Sequence, residues 1–122
     1  MEPVVAFALA STLHAGFQLT VTVLVYPALA SRSASEWATH HHRHTRGIGP
    51  VVLLVYGALV SSGAVLVADG PGAAGWVALA LTVLTFALTA FGAAPIHGRL
   101  TVRDEALVRR LLVVDRWRCA AA

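Results

Sequence analysis

The sequence contains little charge and no lysine. Charged residues make up 12% of the 122 residues and hydrophobic residues 57%. That charged share is about half of what a typical soluble domain carries. A soluble domain of this length cannot bury so much apolar surface, and the mean hydropathy is +0.73. The composition therefore excludes an ordinary soluble protein and predicts an integral protein of the cell membrane.

Cysteine is also scarce: the single Cys119 excludes an intrachain disulfide. The nine basic residues are all arginine and fall in two segments, 32–46 and 99–118. No aromatic residues alternate with them as they do in nucleic-acid-binding proteins, so we expect no nucleic-acid partner. In a membrane protein, clustered arginine instead reports the side of the membrane on which a segment lies.

Three runs without acidic or basic residues are long enough to cross a bilayer core, which takes about 20 apolar residues. They cover residues 3–30, 51–68 and 73–95. In the first run, Ala-Leu-Ala at 28–30 resembles the cleavage site of a signal peptide. However, no positive charge precedes it, and His14 and Gln18 interrupt its apolar stretch. We predict one all-α membrane domain, residues 1–122, with the lipid bilayer as its environment.

The segment between the first two spans is predicted to be an amphipathic helix over residues 34–48. Ser33 and Glu36 have the S-x-x-E pattern of a capping box, which places the helix start near Ala34. Pro50 is expected to kink the chain where the second span begins.

A fourth, C-terminal amphipathic helix is predicted over residues 102–119, with Thr101 as its cap. It contains too many charged residues to cross a bilayer by itself. It therefore either lies at the membrane interface or packs into the bundle with its polar residues inward.

Three spans place segment 31–50 and the C-terminal tail on the same side of the membrane. Both are rich in arginine, whereas the other side carries only Glu2 and Asp69. The positive-inside rule then predicts an outside N-terminus and a cytoplasmic C-terminal tail. This topology brings the histidines at 40–44 to the same side as His97.

These histidines form a candidate metal site. One face of the predicted helix presents Trp37, His41, His44 and Ile48. Histidines one helical turn apart can bind one metal ion, with a third ligand from elsewhere. We therefore predict His41, His44 and His97 as ligands of copper, iron or zinc. Asp115 is either a fourth ligand or a carboxylate that orients a ligating imidazole.

Simpler interpretations of these residues stay open. The His/Arg stretch can be a hydrated segment that binds lipid headgroups, or a cluster that senses pH. Asp115 and Arg118, three residues apart on a helix, can simply pair.

Further polar residues are functional candidates. His14 and Gln18 lie inside the first span, where ionisable and polar groups usually serve a function; the alternative is a neutral His14 hydrogen-bonded to another helix. Tyr26 and Asp115 are candidate catalytic residues. Arg99 or Arg118 is expected to hold an anionic part of a substrate.

Several short motifs carry a resemblance to small four-helix integral membrane proteins of bacteria. Those proteins share a V-Y-P motif, an aromatic-x3-His motif and a P-x-H-x-x-L motif. The matching residues here are Val25, Tyr26, Pro27, Trp37, His41, Pro95, His97 and Leu100. In size and layout the chain is also similar to the membrane family that includes anthrone oxygenases. The resemblance implies a four-helix bundle in which His41 and His97 belong to a shared site.

The chain departs from that pattern in two ways. The second span has no acidic residue, and the fourth helix ends soon after Arg118.

We therefore expect a small membrane enzyme, a metal-dependent oxidoreductase that acts on a lipophilic small molecule entering from the bilayer. The alternative is a non-catalytic membrane module, a transport accessory or assembly partner, whose His/Arg segment binds headgroups or another protein. Small residues four apart, such as Gly57 and Ser61, let membrane helices approach closely. With only three spans, a homo-oligomer is expected.

Overall fold

The computed structural model describes residues 1–122 as four helices without strands. Three helices are long and apolar enough to cross a membrane: α1 Pro3–Ala30, α2 Ala34–Asp69 and α3 Ala73–Arg99. The fourth, α4, covers Glu105–Ala121. The predicted all-α membrane bundle is confirmed.

Helix α2 begins where the capping box predicts. The Ser33 backbone is extended, and both hydrogen bonds of the Ser33–Glu36 box are present, so the helix starts at Ala34. The helix then continues through Pro50 to Asp69, which joins the predicted amphipathic segment and the predicted second span into one helix. Gly70 follows as the C-cap, and its φ of 83° is a left-handed conformation that glycine adopts without strain.

Helix α4 begins later than predicted. The Asp104 side chain accepts a hydrogen bond from the backbone N–H of Leu107, so Asp104 is the cap and Glu105 the first helical residue. The prediction of Thr101 as cap was wrong. Aspartate is at least as good a cap as threonine, and residues 100–102 form a turn that completes the reversal from α3.

Two π-helical turns interrupt the long helices, at Val21–Val25 in α1 and at Leu88–Ala93 in α3. Each lies just before a proline, Pro27 or Pro95. Proline has no N–H to donate and crowds the preceding turn, which gives a physical reason for the wider turn. Both π-turns contact α4, and such turns often occur at functional sites.

Helix α4 packs into the bundle, the second of the two predicted arrangements. It contacts α1 and α3 and buries Leu107, Val108 and Leu111. Its polar residues Asp115 and Arg118 also face inward and are only 1% and 4% exposed. The C-terminal segment therefore turns back along the spans instead of lying at the end of the bundle.

Two groups of buried apolar side chains form the core. The larger, at the end of the bundle that carries the histidines, includes Tyr26, Trp37 and Leu100. The smaller joins α1 to the far half of α2 through Phe7, Leu59 and Leu66. Many large apolar side chains on the three spans remain exposed, as expected of helices in contact with the bilayer.

The packing at Gly63 yields a stability prediction. A Cβ atom there would lie 3.3 Å from both Leu79 and Phe7, whereas a Cβ at Gly16 meets nothing within 4 Å. Gly63→Leu should lower the free energy of unfolding by about 1–3 kcal/mol through overpacking. Gly16→Leu, the matched control, should not destabilise. Thermal unfolding of both variants in detergent micelles checks this, and equal melting temperatures would contradict the packing described.

Candidate functional site

Trp37 connects α2 to the end of α3 by a hydrogen bond. Its indole N–H donates to the carbonyl oxygen of Leu100 at 2.9 Å, and both residues are at most 1% exposed. The indole also stacks on the His41 ring, with 5.3 Å between ring centroids. The predicted inner face of this helix is thus packed, while the His42 and Arg43 side chains are exposed.

Residues of three helices meet at His97. The Nδ1 atom of His97 lies 3.0 Å from Nε2 of His41, and its Nε2 atom lies 2.9 Å from the Tyr26 hydroxyl. Each of the two contacts needs one shared proton, because nitrogen or oxygen atoms at these distances are otherwise repulsive. Tyr26, His97 and His41 therefore form a hydrogen-bonded chain, the Tyr–His–His chain.

His44 lies beside this chain without joining it. Its ring centroid is 5.6 Å from that of His97 and 5.8 Å from that of Tyr26. No three side chains among His, Cys, Asp and Glu are grouped closely enough to hold a metal ion. The structure thus brings His41 and His97 into contact with each other, and His44 lies adjacent to them. The three-ligand metal site stays a prediction.

Asp115 forms no hydrogen bond with an imidazole. Its Oδ1 atom accepts hydrogen bonds from Gln18 at 2.7 Å and from Arg118 at 3.5 Å. The geometry therefore matches the simple pairing with Arg118 and does not place Asp115 as a metal ligand or as a support for one. Gln18, predicted as a polar residue inside the first span, is the partner of Asp115 from α1.

Arg118 is a buried cation that reaches into the bundle. One of its Nη atoms donates to the Tyr56 hydroxyl at 3.3 Å, and that hydroxyl also shares a 2.8 Å hydrogen bond with Thr89. The Nε atom of Arg118 is buried without a partner. The Tyr56 ring also stacks on Phe86, with 4.5 Å between the ring centroids. Nothing in the apolar run around Tyr56 signals the contact with Arg118.

His14 lies next to Tyr56, whose hydroxyl accepts the hydrogen bond from Arg118. Its ring meets Tyr56 edge-on at 5.4 Å, and its Nε2 atom is buried without a hydrogen bond. The alternative of a His14 hydrogen-bonded through this nitrogen to another helix is therefore not found. His14 takes no part in the hydrogen bonds or ring contacts made by His97.

A cavity of about 290 Å³ opens between α1, α2, α3 and α4. It lies next to the Tyr–His–His chain and to the Arg118 side chain. Seven of its thirteen lining residues are hydrophobic, a count that includes Tyr26, and the polar ones include His97 and Arg118. Arg99 does not line it and is exposed. Of the two arginines predicted to hold a substrate anion, only Arg118 lines this cavity.

Comparison of the chain with protein-family models, with curated proteins and with solved structures gives no match. The resemblance to small bacterial four-helix membrane proteins therefore stays a prediction.

The buried ion pair yields a prediction for stability. Asp115→Ala should lower the free energy of unfolding by about 3 kcal/mol, because it leaves the Arg118 cation buried without a counter-ion. The double variant Asp115→Leu/Arg118→Met should recover most of that loss, since an apolar pair needs no counter-ion. Thermal unfolding of both variants measures the difference. A double variant as unstable as Asp115→Ala would mean that the charge pair is not the cause.

Proposed function

We propose that the protein is a small membrane enzyme that binds a lipophilic molecule with an acidic hydroxyl or carboxyl group and removes its proton. The observation that carries this proposal is the position of Arg118. This buried cation, with an unpartnered Nε atom, lines a largely apolar cavity that also contains Tyr26 and His97. Apolar walls with a few convergent polar groups are typical of small-molecule sites.

The walls of the cavity suit a lipophilic ligand. Phe17, Val21, Ile48 and Val52 supply apolar surface from α1 and α2. These helices are embedded in the bilayer, so a molecule dissolved in lipid can enter sideways without passing through water. A charged or strongly acidic group on that molecule would be drawn to Arg118, because an opposite charge is stabilised where water is excluded.

The Tyr–His–His chain offers a route for the proton. When Tyr26 donates to Nε2 of His97, the Nδ1–H of His97 donates to His41. A proton accepted at the Tyr26 oxygen then displaces one proton along each bond and arrives at His41. Arg118 holds the anion that is left behind, as preorganised cations do for developing negative charge.

This step fits redox chemistry on the same molecule. Removal of a proton makes a hydroxyaromatic compound a better electron donor.

His41 lies at the end of the bundle that the arginine distribution assigns to the cytoplasm, so the proton would leave on that side.

Binding of 2-naphthol to protein in nanodiscs tests the proposal, since naphtholate absorbs at a longer wavelength than naphthol. Wild-type protein should lower the pH at which the bound dye ionises by about one to two units, because a nearby cation favours the anion. In Asp115→Asn/Arg118→Gln, a neutral pair of similar shape, this shift should disappear.

Arg99→Gln is the matched control, as it removes an arginine charge outside the cavity, and it should ionise bound naphthol like the wild type. A wild-type protein that binds the dye without shifting its ionisation, or not at all, would contradict the proposal and favour the non-catalytic module.

A second candidate is a transition metal held between His41 and His97. Two imidazole nitrogens on one ion, each about 2.0–2.1 Å from the metal, lie roughly 3 Å apart, and the observed separation is 3.0 Å. Copper, iron and zinc all accept such ligands, and a rotation of His44 would supply a third. A metal there would provide the electron acceptor or Lewis acid for an oxidoreductase.

Elemental analysis of detergent-purified protein, grown with copper, iron and zinc supplied, separates the two candidates. A resident metal predicts about one ion per chain in wild type and in His42→Ala, whose side chain is exposed. It also predicts little metal in His41→Ala and His97→Ala, because each removes a ligand. Equal metal content in all four proteins, or none in any, would exclude the metal candidate and leave the shared-proton arrangement.

A further inference from the structure

A second concave surface lies where α1 ends and α2 begins. Its volume is about 350 Å³. Its apolar lining residues include Val25, Leu29 and Ile48, and its basic lining residues include Arg32, His40 and Arg43. We refer to these residues as the α1–α2 recess.

The basic residues of the recess are not accompanied by acidic residues in its lining. None of its lining residues is Asp or Glu. The two ion pairs between side chains in the protein join Arg103 to Glu105 and Arg118 to Asp115. Arg32 and Arg43 therefore both line the recess, and neither forms an ion pair.

The turn that carries Arg32 is held in place. Arg103 donates hydrogen bonds to the backbone oxygens of Ala30 and Arg32 and lies 5.7 Å from the Trp37 ring centroid. The hydrogen bond from Arg103 lowers the pKa of the Glu105 carboxyl, which favours the carboxylate as the partner of Arg103 in this ion pair. The recess is thus organised before any ligand arrives.

We propose that the α1–α2 recess binds the headgroup of an anionic phospholipid. The phosphate would lie between Arg32 and Arg43, because guanidinium groups donate paired hydrogen bonds to phosphate oxygens. The glycerol and the first part of an acyl chain would follow Val25, Leu29 and Ile48 toward the bilayer. This order, with charge at the ends of the helices and apolar surface toward the spans, is the order of groups in a phospholipid.

The recess is separate from the cavity but shares a wall with it, since His44 and Ile48 line both. Lipid binding here does not depend on the enzyme activity proposed above. It would, however, place a lipid against one side of the cavity in which that activity is proposed.

Native mass spectrometry tests the proposal with phosphatidylglycerol and phosphatidylcholine added in equal amounts to the detergent-purified protein. Wild type should retain one phosphatidylglycerol in clear preference to phosphatidylcholine. Arg32→Gln/Arg43→Gln should reduce that preference about tenfold, since each arginine near an anionic lipid surface contributes to binding. Arg32→Lys/Arg43→Lys, which keeps both charges, should retain more of the preference than the glutamine variant.

The matched control is Arg99→Gln/Arg109→Gln, which removes the same charge from two exposed arginines outside the recess. It should bind phosphatidylglycerol like the wild type. An equal loss in the control would show attraction to total charge and overturn the proposal, as would a wild type without preference. Glycerol 3-phosphate is added in a separate run; if it binds the recess as strongly as the lipid, a soluble phosphate is the ligand and the lipid proposal is wrong.

Discussion

The contact of Asp115 with Gln18 and Arg118 determines where α4 lies, and the rest of the site depends on it. A helix of 17 residues is about 25 Å long, and its inward-facing charges would not remain among apolar spans unless they were paired. Gln18 supplies a donor from the middle of α1, and Arg118 supplies the counter-charge from α4 itself. Because Asp115 is held there, Arg118 reaches Tyr56 and the cavity.

The local features of the fold follow directly from short patterns in the sequence. The uncharged runs become spans, and the Ser33–Glu36 pattern becomes a capping box at the predicted residue. Helical spacing places Trp37 and His41 on one buried face. Each of these depends on residues within one or two turns of each other, so periodicity and capping rules are sufficient to predict them.

The arrangement of α4 and the composition of the cavity depend on contacts that no short pattern encodes. Gln18 and Asp115 are 97 residues apart, so short sequence patterns are equally compatible with α4 at the membrane interface and with α4 in the bundle. Arg99 and Arg118 were equal candidates for holding an anion. Only packing separates them, because Arg99 lies on the outer side of α3 while Arg118 follows Asp115 inward by one helical turn.

Either a proton or a metal ion can lie between His41 and His97. The hydrogen bond between Tyr26 and His97 has a different direction in each case. If a proton lies between the imidazoles with His97 as donor, Nε2 of His97 is bare and must accept the Tyr26 proton. If a metal ion lies there instead, Nδ1 of His97 is a ligand, Nε2 carries the hydrogen, and Tyr26 accepts it, as outer partners of metal-bound histidines commonly do. The separation of the two nitrogens, 3.0 Å here, is similar in the two cases, but in the metal case both rings must turn so that their lone pairs point at the ion. The direction of one hydrogen bond, from Tyr26 to His97 or from His97 to Tyr26, therefore distinguishes this proton route from a metal centre.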